Sequence, residues 1–267
     1  MLKDVTLGQY FPGETIVHRL DPRIKIIIVV IYIVTLFMAK AALSYAVMFT
    51  FLAVAVALSK IKLRVMLKGL KPLLIIMVFT ALLNVLYTPG ETVFEWWIFK
   101  ATDTGIVTAC FMVLRIIMLV TGTFLLTYTT SPMSLTDGLE RLFAPLKKIR
   151  VPVHELAMMM TIALRFIPTL IEETDKIISA QRARGADFES GNIARRARAL
   201  IPVLVPLFFS AMRRADELAT AMECRCYNGG EGRTRLRQLS LMGYDFAALL
   251  VVTLTGTLTA VLGHFGM

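Results

Sequence analysis

Five long apolar runs constrain this 267-residue chain more than any other feature. They cover residues 24–39, 41–59, 72–88, 105–128 and 244–266. Hydrocarbon offers no water to a backbone N–H or C=O, and a helix satisfies these groups internally. A helix crosses the apolar part of a bilayer with about 20 residues, within a range of roughly 17–25. The first three runs sit near the short limit. The expectation is an all-α polytopic membrane protein with about five transmembrane helices.

Composition points the same way. Hydrophobic residues make up 57% of the chain and charged residues 18%, against about half and roughly a quarter in an ordinary soluble domain. The net charge of +10 is unevenly placed. Segment 60–71 holds Lys60, Lys62, Arg64, Lys68 and Lys71 without an acid. Residues 129–243 carry 17 Lys and Arg against 12 Asp and Glu, whereas loop 89–104 carries Glu91, Glu95 and Asp103 against Lys100. Lys and Arg collect on the cytoplasmic side of membrane proteins. That bias puts the N-terminus, segment 60–71 and residues 129–243 in the cytoplasm, with loop 89–104 and the C-terminus outside. Residues 1–128 then form an N-terminal region of four transmembrane helices. Residues 129–243 form a cytoplasmic region, and 244–267 a C-terminal transmembrane helix. No recognised nucleic-acid motif accompanies the basic charge, so no nucleic-acid partner is expected. Lys3-Asp4 leads into a polar stretch rather than the apolar core of a signal peptide.

The cytoplasmic region has apolar stretches that suit a bilayer poorly. Residues 199–211 are short and contain Pro202 and Pro206, and residues 156–171 are interrupted by Arg165 and Pro168. A central arginine costs about 2.5–3.5 kcal/mol on insertion scales. The reading is three helices at or below the membrane face, over about 132–147, 153–184 and 192–226. Ser131-Pro132 opens the first as an N-cap and first-turn pair. Asn192 is the expected N-cap of the third. Ile201, Leu204, Phe208, Ala211, Ala215, Leu218 and Met222 recur at helical spacing, as do Met160, Leu164, Ile167, Ile171 and Ile178. These stripes are expected to pack on one another and on the membrane helices.

Both long cytoplasmic helices end alike, in Ala183-Arg184-Gly185 and in Cys224-Arg225-Cys226. An arginine at a helix C-terminus complements the macrodipole, and Gly185 suits a left-handed stop. An arginine presented this way can also grip a partner carboxylate through two hydrogen bonds. Its repetition points to contact with a soluble partner.

No catalytic constellation accompanies these tips. A phosphate-binding G-x-x-x-x-G-K-[ST] loop is absent, and Asn228-Gly229-Gly230-Glu231-Gly232 follows a helix rather than opening one. His154-Glu155 begins H-E-x-x-H, but Met158 stands at the second ligand position, and G-x-S-x-G is missing. Cys110, Cys224 and Cys226 make no four-ligand zinc set with His18, His154 and His264. No enzyme, metal, disulfide or cofactor is expected. Intramembrane polar residues are functional candidates. Arg115 and Asn84 fall at similar depth in the fourth and third spans and are expected to face one another or share a polar cavity. A rival reading is a self-sufficient secondary transporter or channel with Arg115 and Asn84 in its path. The lack of a central intramembrane acid and the large cytoplasmic region weigh against it.

Three stretches carry a resemblance to a known family. They are His18-Arg19-Leu20-Asp21-Pro22-Arg23, Leu164-Arg165-Phe166-Ile167-Pro168 and Ala180-Gln181-Arg182-Ala183-Arg184-Gly185. With them, the chain resembles the transmembrane T components of energy-coupling factor transporters for vitamins and metals, a family that includes the cobalt-transport permeases. The resemblance implies a non-catalytic coupling subunit in the cell inner (cytoplasmic) membrane. It implies two ABC ATPase subunits as partners, which bind the ATP, and a membrane-embedded substrate-binding S component. It assigns ATPase docking to Ala183, Arg184 and Gly185 and to Cys224, Arg225 and Cys226. The second tip departs from Ala-Arg-Gly in both flanking residues. Met158, Met159 and Met160 are candidates for the S-component contact, since methionine suits surfaces that repack.

Overall fold

The computed structural model describes residues 10–39, 41–89, 92–96, 99–188, 192–230 and 239–264. The expectations placed on Lys3-Asp4, Glu91 and Glu231-Gly232 lie outside these residues. The helices are α1 (Ile16–Arg19), α2 (Pro22–Met38), α3 (Ala42–Ser59), α4 (Leu63–Leu70), α5 (Leu74–Tyr87), α6 (Asp103–Thr129), α7 (Pro132–Phe143), α8 (Val153–Ala183), α9 (Ile193–Cys224) and α10 (Gly243–His264). The architecture is all-α apart from one addition. Within loop 89–104, β1 (Thr92–Trp96) and β2 (Phe99–Thr102) form a small antiparallel hairpin.

Among the described residues, five helices are long and apolar enough to cross a bilayer. They are α3, the segment Leu63–Tyr87, α6, α8 and Gly243–Gly263 of α10. The expected first span, α2, has 17 residues and sits at the short limit. α8 qualifies by length and composition although Arg165 and Pro168 lie inside it.

Two element boundaries differ from expectation. The basic segment read as a loop is helical from Leu63, and only a 3-10 turn at Lys71–Leu73 separates α4 from α5. Pro72, which has no N–H to donate, sits in that turn. Similarly, the first cytoplasmic helix ends at Phe143 and continues as a 3-10 stretch, Ala144–Ile149, that contains Pro145. Its expected start holds: the Ser134 N–H donates to Ser131 Oγ at 3.2 Å. Asn192 occupies the N-cap position of α9 with extended backbone, but its side chain makes no capping bond.

The chain divides into two compact units. The larger joins Gly8–Gly138 with Leu239–Met267. Its core gathers Tyr32, Leu36, Tyr45, Met48, Leu52, Met118 and Tyr128 from α2, α3 and α6. Lipid tails are as apolar as leucine, so close packing rather than water exclusion holds such helices together. Gly122 shows how close the packing is: a Cβ there would lie 2.6 Å from the Tyr32 ring. The Tyr32 hydroxyl donates to the Met118 carbonyl at 3.1 Å.

The His18–Arg23 stretch is the anchor of this unit. Asp21 caps α2 by accepting the Arg23 N–H at 2.9 Å, and Arg23 returns a two-pronged contact at 2.9 and 2.7 Å. The Asp21 N–H donates to Asp245 Oδ1 at 2.9 Å. Asp245, in the first turn of α10, also accepts the Met242 N–H at 2.8 Å, as the acid of a capping box does. Lys25 is buried, and its ammonium donates to the carbonyls of His18 and Thr129 and to the Thr130 hydroxyl. Thr129 is the last residue of α6, where a cation complements the helix dipole. Burial holds the His18 imidazole below its ordinary pKa of 6.5. The hydrogen bond to the Phe11 carbonyl opposes this shift, and the Lys25 charge adds to it. In the neutral ring, Nε2–H donates to Phe11 O at 3.0 Å and Nδ1 accepts from the Thr15 hydroxyl.

The smaller unit, whose described residues fall within Leu139–Gln238, is built on α8 and α9. Glu173 of α8 meets Arg214 at 2.9 Å and also the Ser210 hydroxyl. Eight residues further along α8, Gln181 reaches back to Pro202. The partners step backwards as α8 advances, so the two helices run antiparallel. This pairing corrects the N-terminal part of the expected stripe of α9, while Ala211, Leu218 and Met222 are half-buried. Ile201, Leu204 and Phe208 are exposed, and it is Val203 that is buried. The stretch 199–212 is apolar nearly all round, so periodicity alone did not single out the packing side.

Candidate functional site

The two arginine tips close with one hydrogen-bond pattern. At the end of α8, Arg184 is the C-cap residue and Gly185 follows with φ of +88°. The Gly185 N–H donates to Arg182 O at 3.0 Å, and the Ala186 N–H to Gln181 O at 3.0 Å. At the end of α9, Arg225 is the C-cap residue and Cys226 follows with φ of +54°. The Cys226 N–H donates to Glu223 O at 2.8 Å, and the Tyr227 N–H to Met222 O at 3.0 Å. Both are Schellman endings: a 6→1 bond encloses a 5→2 bond, and the residue after the cap is left-handed. Each therefore leaves an arginine at the last position of a long helix, with its main chain turned away. Arg184 and Arg225 are both exposed, as are Ala183, Gly185, Cys224 and Cys226.

Because α8 and α9 are antiparallel, their C-termini point to opposite ends of the pair. Arg184 lies eleven residues beyond Glu173, and Arg225 eleven beyond Arg214. At 1.5 Å per residue this sets the tips up to about 33 Å apart.

Sequence reasoning missed Gln181. Pro206 has no N–H, so the carbonyl four residues earlier, at Pro202, loses its helical donor. The Gln181 side-chain amide donates to that carbonyl at 3.4 Å. The Gln181 main-chain carbonyl meanwhile accepts the 6→1 bond of the Arg184 tip. One residue thus ties the first tip to the proline break in the neighbouring helix. A helical proline always frees the carbonyl four positions back, which is the signal that could have found it.

Of the methionine candidates, Met159 and Met160 are exposed and Met158 is half-buried beside the buried Ala157. No hydrogen bond joins Arg115 to Asn84 among the described residues. Arg115 Nη2 donates to the Ala39 carbonyl at 3.0 Å, and its guanidinium lies over the rings of Phe37 and Tyr45 at 5.7 and 5.6 Å. Asn84 donates to Thr80 O in its own helix at 2.8 Å and approaches Met112 Sδ at 3.0 Å. The reason is local. Ala39 ends α2 with an unused carbonyl, and aromatic faces beside it complete a cation site.

The profile of the CbiQ family, described as cobalt transport protein, matches residues 13–236. The chain is 54% identical over 252 residues to the energy-coupling factor transporter transmembrane protein EcfT of Clostridium kluyveri, covering 94% of this chain and 93% of that one. To the EcfT of Thermosediminibacter oceani it is 53% identical over 253 residues, covering 95% and 96%. To that of Bacillus subtilis it is 48% identical over 251 residues, covering 94% and 95%.

Proposed function

We propose a mechanism from one premise: the chain belongs to the EcfT family, the transmembrane components of energy-coupling factor transporters. It is a multi-pass membrane protein. In our reading it is a non-catalytic coupling subunit, and α8 and α9 lie at the cytoplasmic face of the inner membrane. Arg184 and Arg225 each dock into one subunit of an ABC ATPase pair, gripping a carboxylate in its groove. ATP-driven closure of the pair draws the tips together, and the antiparallel α8–α9 pair passes that motion to the S component. Met158, Met159 and Met160 contribute to the S-component contact. The cargo is a vitamin or a metal ion, selected by the S component.

The observation that carries this reading is the shared Schellman ending of the two tips, at opposite ends of one helix pair. A structural cap needs no exposed arginine at both ends. Two exposed arginine tips with the same helix ending suit a pair of similar partners.

The test is co-expression with a candidate ABC ATPase pair and purification through a tag on this chain. Stoichiometric ATPase should be recovered. Arg184→Glu or Arg225→Glu should each lower recovery and uptake, and the double variant should abolish both. Full transport by the double variant would overturn the docking assignment. Uptake by this chain alone in proteoliposomes would favour a solitary transporter.

A further inference from the structure

The larger unit contains a cavity of about 360 Å³ among α1, α2, α3, α6 and α10. Val17, Leu20, Leu58, Leu125 and Val251 are among its walls. Four lining residues carry polar side-chain groups, and all four are turned to main-chain carbonyls. The Tyr32 hydroxyl bonds Met118 O, Thr129 bonds Leu125 O, Lys25 bonds His18 O and Thr129 O, and Tyr244 bonds Arg19 O. A buried water needs two to four polar partners, and a polar ligand needs at least one. Every side-chain donor here is already engaged, and the lining is otherwise apolar, which suits a hydrocarbon.

A second, open groove of about 460 Å³ shares Phe51, Val54 and Val251 with the first and extends it along α3 and α10 to Ala46 and Thr255. Its hydroxyls are also satisfied within their own helices, Thr50 by Ala46 O and Thr255 by Val251 O. Together the cavity and the groove make one track. From Leu58 to Ala46 of α3 it runs twelve residues, or about 18 Å. That is close to one leaflet, half of a hydrocarbon core about 30 Å thick.

Charge marks one end of the track. Leu58 lies two residues before Lys60, the first of five Lys and Arg in segment 60–71, which has no acid. Lys60 and Lys62 are exposed. Arg19 of α1, a helix that packs against α3, is also exposed and lies 3.7 Å from the more exposed Glu14. By the charge bias this is the cytoplasmic end, where anionic headgroups meet basic juxtamembrane segments.

We propose that the α3–α10 track is a seat for one acyl chain of an anionic phospholipid, with its headgroup at Arg19, Lys60 and Lys62. The seat depends on the membrane-spanning reading of these helices and not on ATPase docking.

The test uses the full chain in vesicles of phosphatidylcholine and phosphatidylglycerol, with a trace of phosphatidylglycerol carrying a photoactivatable diazirine in one tail. Adducts are mapped by mass spectrometry. Labelling of Val54, Leu58 and Val251 should exceed that of Ile75 and Phe79 several-fold, although those α5 residues are at least as exposed. Ala248→Trp should remove the excess by filling the track, and Ala55→Leu, a milder filling, should lower it. Val78→Trp, on the exposed face of α5, should leave it unchanged. Lys60→Gln with Lys62→Gln should erase the preference over a diazirine-labelled phosphatidylcholine while the track still labels. Labelling in proportion to exposure, or labelling unchanged in both filled variants, would overturn the seat. Equal labelling by the two lipids in the unaltered chain would overturn the headgroup assignment.

Discussion

Gly185 and Cys226 hold the same place in the same helix ending. Each follows a C-cap arginine, each is left-handed, and each donates its N–H to the carbonyl three residues back. Glycine takes this conformation freely, whereas a side chain costs roughly 1–2 kcal/mol there. Cys226→Gly should therefore stabilise the second tip by about 1 kcal/mol and keep ATPase recovery intact. Gly185→Val should do the reverse at the first tip. No atom lies within 4 Å of a Cβ placed there, and the positive φ supplies the penalty. Thermal unfolding and ATPase co-purification of the two variants check both statements.

Gln181 makes a double-variant test possible. Gln181→Leu leaves the Pro202 carbonyl without its donor, at a cost of about 1 kcal/mol, and should speed amide exchange near the Arg184 tip. Adding Pro206→Ala supplies a main-chain N–H to that carbonyl. Exchange in the double variant should return towards the original rate. Failure of Pro206→Ala to restore it would show that Gln181 acts otherwise.

Asp245 accepts two main-chain N–H groups and is almost completely buried. Asp245→Ala strands both donors, at about 1–3 kcal/mol each. Detergent-solubilised protein should melt several degrees lower. Asp245→Asn keeps one acceptor oxygen and should lie between.

Arg115 separates the coupling reading from its rival. As a cap on Ala39 between two aromatic rings, it has a structural task. Arg115→Leu should lower the melting temperature but leave uptake per assembled transporter unchanged. Lost uptake with assembly intact would revive a transport path through this residue.

The sequence by itself determined the helical membrane class, because span length and the self-satisfied backbone are local properties. It also located both arginine tips, since a cap lies within a few residues of the helix that it ends. The resemblance to the T components was carried by short contiguous stretches for the same reason. What the tertiary structure decided depends on groups far apart in the chain. Asp21 and Asp245 meet across 224 residues, and Arg115 finds Ala39 across 76. Helical spacing placed Arg115 near the depth of Asn84, but it held no information on which neighbouring helix end offered a free carbonyl. The packing side of α9 was open too, because an apolar surface on every side has no preferred direction until α8 presents Glu173 and Gln181. Nor could composition announce that Cys226 occupies a glycine position. That follows from backbone hydrogen bonds that close whether or not the residue favours the turn.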